Sequence, residues 1–186
     1  MTNKNKMLPG MFDDGIEFFV DNDRVKVLSS GSVKDFTELP FATIQILKDE
    51  IKKDKRARAH LLDLHPVGEY KRLEQFVKCR FGGLDYTADI SHEGIQDGEY
   101  WDCPLHGNCA SEGVLCKAVS INGSPMSAQD IQLAKLLATD HTNELIASEM
   151  NLPLGSFHLA KKKLYQRLGV RTKQEVTTLS HRHNLI

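Results

Sequence analysis

Residues 142–175 read "TNELIASEMNLPLGSFHLAKKKLYQRLGVRTKQE". Thr142 is a residue type that caps helices, and Leu145, Ile146 and Met150 behind it predict one short helix. "NLPLG" makes a turn, and Ser156 opens a second helix. There Phe157, Ala160, Leu164 and Leu168 fall at helical spacing on one apolar stripe. His158, Leu159, Lys162, Lys163 and Gln166 point away from that stripe. Gly169 stops the helix, because glycine tolerates the left-handed conformation that ends helices. Upstream, Ser127 caps a helix carrying Leu133, Leu136 and Leu137 to about Thr139. Downstream, Val176 and Leu179 begin a further one. Two helices joined by a tight turn, the second basic on its exposed face, is helix-turn-helix geometry.

Charge supports the same region. The 186-residue chain is close to neutral, at −1, but residues 126–186 hold eight Lys/Arg against five Asp/Glu. Between Met150 and Gln174 there is no acidic residue, and there are six basic ones: Lys161, Lys162, Lys163, Arg167, Arg171 and Lys173. A local positive field on a neutral protein points to a polyanionic partner; the alternative is a solvated Lys/Arg face.

On these residues the segment 126–186 resembles the DNA-binding domain of LuxR/GerE-type regulators, without gaps. The resemblance is carried by "MSAQD", "LLA", the stretch quoted above and the terminal "HNLI"; "NELIA" and "KLYQRLGVRTKQE" are its most specific pieces. It implies a four-helix domain whose third helix enters the major groove and whose fourth often mediates dimerisation. Two departures stand out. Asp140 occupies a position where the family usually has glycine, and Ser156-Phe157 with Ala160 replaces a Thr-Val pair followed by histidine, so no operator preference transfers. Within this reading Lys162, Lys163 and Arg167 neutralise phosphates. Asn143 and Ser156, near helix N-termini, donate to phosphate oxygens. His158 and Leu159 reach base edges, Leu159 against a thymine methyl.

The rest of the chain is read from pattern alone. Residues 1–11 are expected to be a flexible tail, and 12–84 an α-rich domain with a small β-hairpin. The hairpin is "IEFFV" and "RVKVL" around the turn residues "DND". Pro40 suits a first helical turn, ahead of Phe41, Ile44, Leu47 and Ile51 at helical spacing. A short helix to about Leu64 follows, and "EYKRLEQFVKCRFGG" gives a third, stopped by Gly82-Gly83. The fold class expected is therefore mainly α.

Residues 85–125 show no period and read as a connector rich in cysteine and glycine. This segment holds three of the four cysteines and the only tryptophan. Counting Cys79, the spacing is Cys79-x23-Cys103-x5-Cys109-x6-Cys116. Four soft ligands suit tetrahedral zinc, and an iron–sulfur cluster uses the same donors. The other readings are reduced, metal-free thiols around a small core of Trp101, Leu105 and Leu115, or a regulatory disulfide.

Other input and catalytic classes fail on residues. A receiver domain needs an acidic pair after its first strand, whereas Asp13-Asp14 precede it. A lactone pocket needs a larger, aromatic-rich domain. A zinc deaminase needs H-x-E and P-C-x-x-C, but the chain has His92-Glu93 adjacent and Cys103-Pro104. No apolar run approaches the ~20 residues of a membrane helix, and no signal peptide is visible. The expectation is a cytoplasmic, non-enzymatic, sequence-specific regulator, homodimeric on double-stranded DNA. The runner-up is a protein-interaction or RNA polymerase-recruiting adaptor with a sigma-like helix-turn-helix, read also as a metal or redox sensor.

Overall fold

The computed structural model describes residues 7–183 together with 185 and 186. Residues 1–6 of the expected tail, and Asn184 of "HNLI", lie outside the described residues. The chain separates into two compact units, 1–117 and 118–186. The expected connector 85–125 therefore does not stand apart: residues 85–117 pack with the first unit and 118–125 open the second.

The first unit begins with an antiparallel sheet of β1 (Glu17–Asp21), β2 (Arg24–Ser29) and β3 (Ser32–Asp35), in that order. Asn22 and Asp23 both take positive φ, 49° and 68°, the turn that matches strand twist in a two-residue hairpin. Ser30 and Gly31, at 50° and 73°, repeat the device and create β3. That strand was not expected, since it is short and its one apolar residue, Val33, is exposed. The described part of the tail is also not loose. Pro9 and Gly10 are buried, and the Gly31 N–H donates to the Gly10 carbonyl at 2.7 Å.

Three helices follow: α1 (Phe41–Lys53), α2 (Lys55–Leu64) and α3 (Glu69–Arg80). Leu47, Leu61, Leu73, Phe76 and Val77 turn inward and meet Phe18, Val25 and Val27 of the sheet. Phe81 closes this core against Phe18 and Phe76, both at 6.2 Å between ring centroids. Phe41, expected on the inner stripe of α1, is instead 79% exposed. Pro40 is the cap before the helix and Phe41 its first residue, a position ahead of the turn that faces the core. After α3 come a two-stranded ribbon, β4 (Ile90–Ser91) with β5 (Gly94–Ile95), and a run of turns to residue 117.

The second unit starts with a hairpin, β6 (Ser120–Ile121) and β7 (Ser124–Pro125), around Asn122-Gly123 at positive φ. Four helices follow: α4 (Ala128–Leu137), α5 (Asn143–Glu149), α6 (Leu154–Leu168) and α7 (Lys173–Arg182). Ser127 and Asp130 form a reciprocal capping box at the start of α4, and Thr172 with Glu175 does so at α7. The core is Leu133, Leu137, Ile146, Phe157, Leu164, Leu168 and Val176, all buried. Among the described residues the architecture is thus mixed but mostly helical, with small antiparallel sheets. No helix among them is long and apolar enough to cross a membrane.

Candidate functional site

The pair α5–α6 is set by local chemistry. The Thr142 hydroxyl accepts from the Leu145 N–H at 3.3 Å and caps α5. Asn151 takes φ 54°, and the Leu152 N–H returns to the Ala147 carbonyl at 2.9 Å, which closes the turn. Pro153 then caps α6, which begins at Leu154, two residues before Ser156. Proline fixes the φ that the helix entry needs, so its position sets the start. Ser156 consequently lies in the first turn, exposed.

The inward stripe of α6 is as the spacing predicts: Phe157, Leu164 and Leu168 are buried and Ala160 is half-buried. Its outward face carries Ser156, His158, Leu159, Lys162 and Lys163, all exposed. Among the described residues neither Lys162 nor Lys163 has a hydrogen-bonded or ionic partner. Arg167 differs. Its guanidinium is hydrogen-bonded to the Asp130 carboxylate of α4, which also accepts from the Ser127 N–H and hydroxyl. Burial alone would raise the Asp130 carboxyl; the bonds from Ser127 and Arg167 outweigh it and hold it low. Arg167 is thus a brace between α4 and α6.

Asn143 also has a partner. Its side-chain oxygen accepts from Lys161 Nζ at 3.0 Å, which leaves its amide NH₂ to donate outward. Lys161 lies 5.5 Å from the Tyr165 ring centroid and 5.9 Å from that of Phe157. Burial, with Lys173 nearby, lowers its pKa. His158, Lys161, Lys162, Tyr165, Gln166 and Val170 line a shallow groove of ≈ 320 Å³. Lys161 and Tyr165 are contributors that spacing alone did not single out; the row Phe157, Lys161, Tyr165 at steps of four was the available signal.

The four cysteines all belong to the first unit, so they do not bridge the two. Each is half-buried and unoxidised. Cys79 sits in the last turn of α3, close enough to Cys116, Cys103 and Cys109 for each to act on its charge. Burial first, then those neighbours, pushes the Cys79 thiol up to about 11. A thiol so protonated is a poor nucleophile and a poor redox switch. The sulfurs stop short of a closed set, because among the described residues one trio alone brings its ligand atoms within 4.8 Å, and it is Glu17, Asp85 and Glu99.

That acidic trio was not anticipated. Glu17 is fully buried at the start of β1, where its Oε1 accepts from the Asp85 N–H at 2.8 Å and its Oε2 has no partner. Glu99 accepts from the Gly83 N–H at 2.6 Å, and nearby Asp89 from the Phe18 N–H at 2.7 Å. Desolvation, reinforced by mutual repulsion, raises Glu17 to about 8, Glu99 to about 9 and Asp89 to about 10. These groups hold protons at neutral pH, which makes them internal hydrogen-bonding carboxyls. The only trace in sequence is one acid inside the apolar strand "IEFFV".

No family model, curated protein or solved structure matches the chain.

Proposed function

We propose that this chain is a sequence-specific DNA-binding transcriptional regulator whose second unit is a LuxR-type helix-turn-helix domain. One observation carries the reading. The outward face of α6 offers Ser156, His158, Leu159, Lys162 and Lys163 together, exposed and with no acidic residue between Met150 and Gln174. A helix of 15 residues with a cationic face has the dimensions and charge to lie in a major groove. Lys162 and Lys163 neutralise phosphates, Asn143 and Ser156 position the backbone, and His158 and Leu159 read bases. Arg167 joins them only by leaving Asp130, so it is secondary. The protein acts by binding rather than by catalysis, in the cytoplasm, and pairs as a homodimer on two half-sites. The exposed side of α7 presents Thr178, His181 and Arg182, so pairing through it is polar and templated by DNA.

Binding to a randomised duplex pool, followed by sequencing and titration, tests this. A defined motif should emerge, and log affinity should fall against log salt with a slope of about −4 to −5, for roughly four to six phosphates. A flat salt response, or no enriched motif, would sink it. The second reading, a protein adaptor that recruits RNA polymerase, draws on Leu145, Leu154 and Leu159, which are 44%, 41% and 54% exposed. Replacing Lys162 and Lys163 by alanine separates the two, since genomic occupancy would survive the change only in an adaptor.

A further inference from the structure

We propose that Cys79, Cys103, Cys109 and Cys116 form a tetrahedral zinc site that closes around the metal and fastens the loop 103–116 to the end of α3. These are all the cysteines the chain has; no three of their sulfurs lie within 4.8 Å of one another, but contacts that involve no sulfur hold the segments that carry them side by side. Arg80, beside Cys79, donates from Nε to the Leu115 carbonyl at 3.2 Å and from Nη2 to the Val114 carbonyl at 3.4 Å, next to Cys116. The Glu99 N–H donates to the Arg80 carbonyl at 2.9 Å. A Cβ on Gly82 would stand 2.3 Å from the Trp101 ring, so the segment leading into Cys103 lies directly on the chain leaving α3. His60 of α2 meets the Ser111 hydroxyl at 3.0 Å and holds the neighbourhood of Cys109.

The loop itself contains no helix or strand. It is a succession of turns, with the His106 N–H on Cys103 O at 3.1 Å and the Glu112 N–H on Cys109 O at 3.1 Å. Such a segment has little apolar surface to bury apart from Leu115, so a metal adds most there. Two donors already point at sulfur: Gln75 Nε2 at 3.1 Å from Cys79 Sγ, and the Gly113 N–H at 3.4 Å from Cys116 Sγ. Outer donors of this kind stabilise ligating thiolates. A Zn–S bond of about 2.3 Å sets sulfurs roughly 3.8 Å apart in a tetrahedron. The loop therefore tightens on binding, which turns can do without breaking a ladder. Zinc displaces the thiol protons, about four per ion, and no redox step is involved.

The test uses the full chain purified without a metal-binding tag. Elemental analysis should give about one zinc per chain, and cobalt in its place should give the visible spectrum of tetrahedral thiolate coordination. Alkylation followed by mass spectrometry should find all four cysteines protected with zinc and all four modified after chelation. Loss of an outer-shell donor costs about 10–100-fold in affinity; Gln75→Ala should fall in that range, and Cys79→Ser beyond it. Metal below ~0.2 equivalents, iron with acid-labile sulfide, a disulfide in the freshly isolated protein, or Cys79→Ser binding at full strength would each overturn the proposal. Should Cys79→Ser not fold, the alkylation of the unmodified chain still decides.

Discussion

Glu17 shows how a single residue can carry a pH dependence. Above about pH 5 an unfolded chain has released the protons of Glu17, Asp89 and Glu99, whereas the folded unit keeps them to about pH 8 and beyond. The folded state binds more protons across that window, so stability is fully present at its acid end and is lost as pH rises. Trp101 is the sole tryptophan and lies in this unit, so its fluorescence reports the transition. The midpoint should fall by several degrees between about pH 6 and pH 9, and Glu17→Gln should flatten the slope. A midpoint that climbs with pH would contradict the burial argument. Gly82 is a second single-residue constraint. It has no side chain, and the Trp101 ring occupies the space a Cβ would take, so Gly82→Ala forces ring and backbone apart. Overpacking of this kind costs about 1–3 kcal/mol, measurable by urea denaturation. Neither residue stood out in the sequence, because burial and close approach depend on partners 60 or more and about 20 positions away, Asp85 from Glu17 and Trp101 from Gly82.

Among the elements, α6 separates charges that look equivalent in a linear reading. Lys162 and Lys163 are exposed, while Arg167 is held by Asp130. Alanine at Lys162 or Lys163 should leave stability within about 0.5 kcal/mol and reduce the salt slope of DNA binding by about 1 each. Arg167→Ala should instead lower stability by about 1 kcal/mol, because the pair is part-buried and Asp130 loses a charged partner. A double-mutant cycle with Asp130→Ala should reveal coupling; strict additivity would show the ion pair to be idle. The entry of α6 was legible only to within two residues. Capping chemistry named Ser156, but the preceding Pro153 fixed the backbone first. At the other end Gly169, at φ 70°, stopped the helix where expected. Asn122 adds a bond from its side chain to the Leu168 carbonyl at 2.8 Å, which no local pattern announces.

At the scale of the whole molecule, each unit has its own core, with Phe18, Phe76 and Leu115 in the first and Leu137, Phe157 and Leu164 in the second. Heating should therefore give a Trp101 signal that follows the first unit alone and a far-ultraviolet signal that follows both. The two should separate under a perturbation confined to one unit, such as Glu17→Gln. Coincident shifts would mean that the units unfold as one.

The sequence by itself determined the helical pattern of residues 126–186, the stop at Gly169, the first hairpin and the three helices before residue 81. The helices rest on contacts within about four residues and the hairpin on a two-residue turn between adjacent strands, which periodicity, capping and turn residues express directly. Only the tertiary structure decided that the cysteine loop belongs to the first unit, that Arg167 is engaged, and that the carboxyls of Glu17, Asp85 and Glu99 come within 4.8 Å of one another. Those outcomes depend on which distant backbone atoms and charges meet, and desolvation energies exist only once the fold has excluded the water.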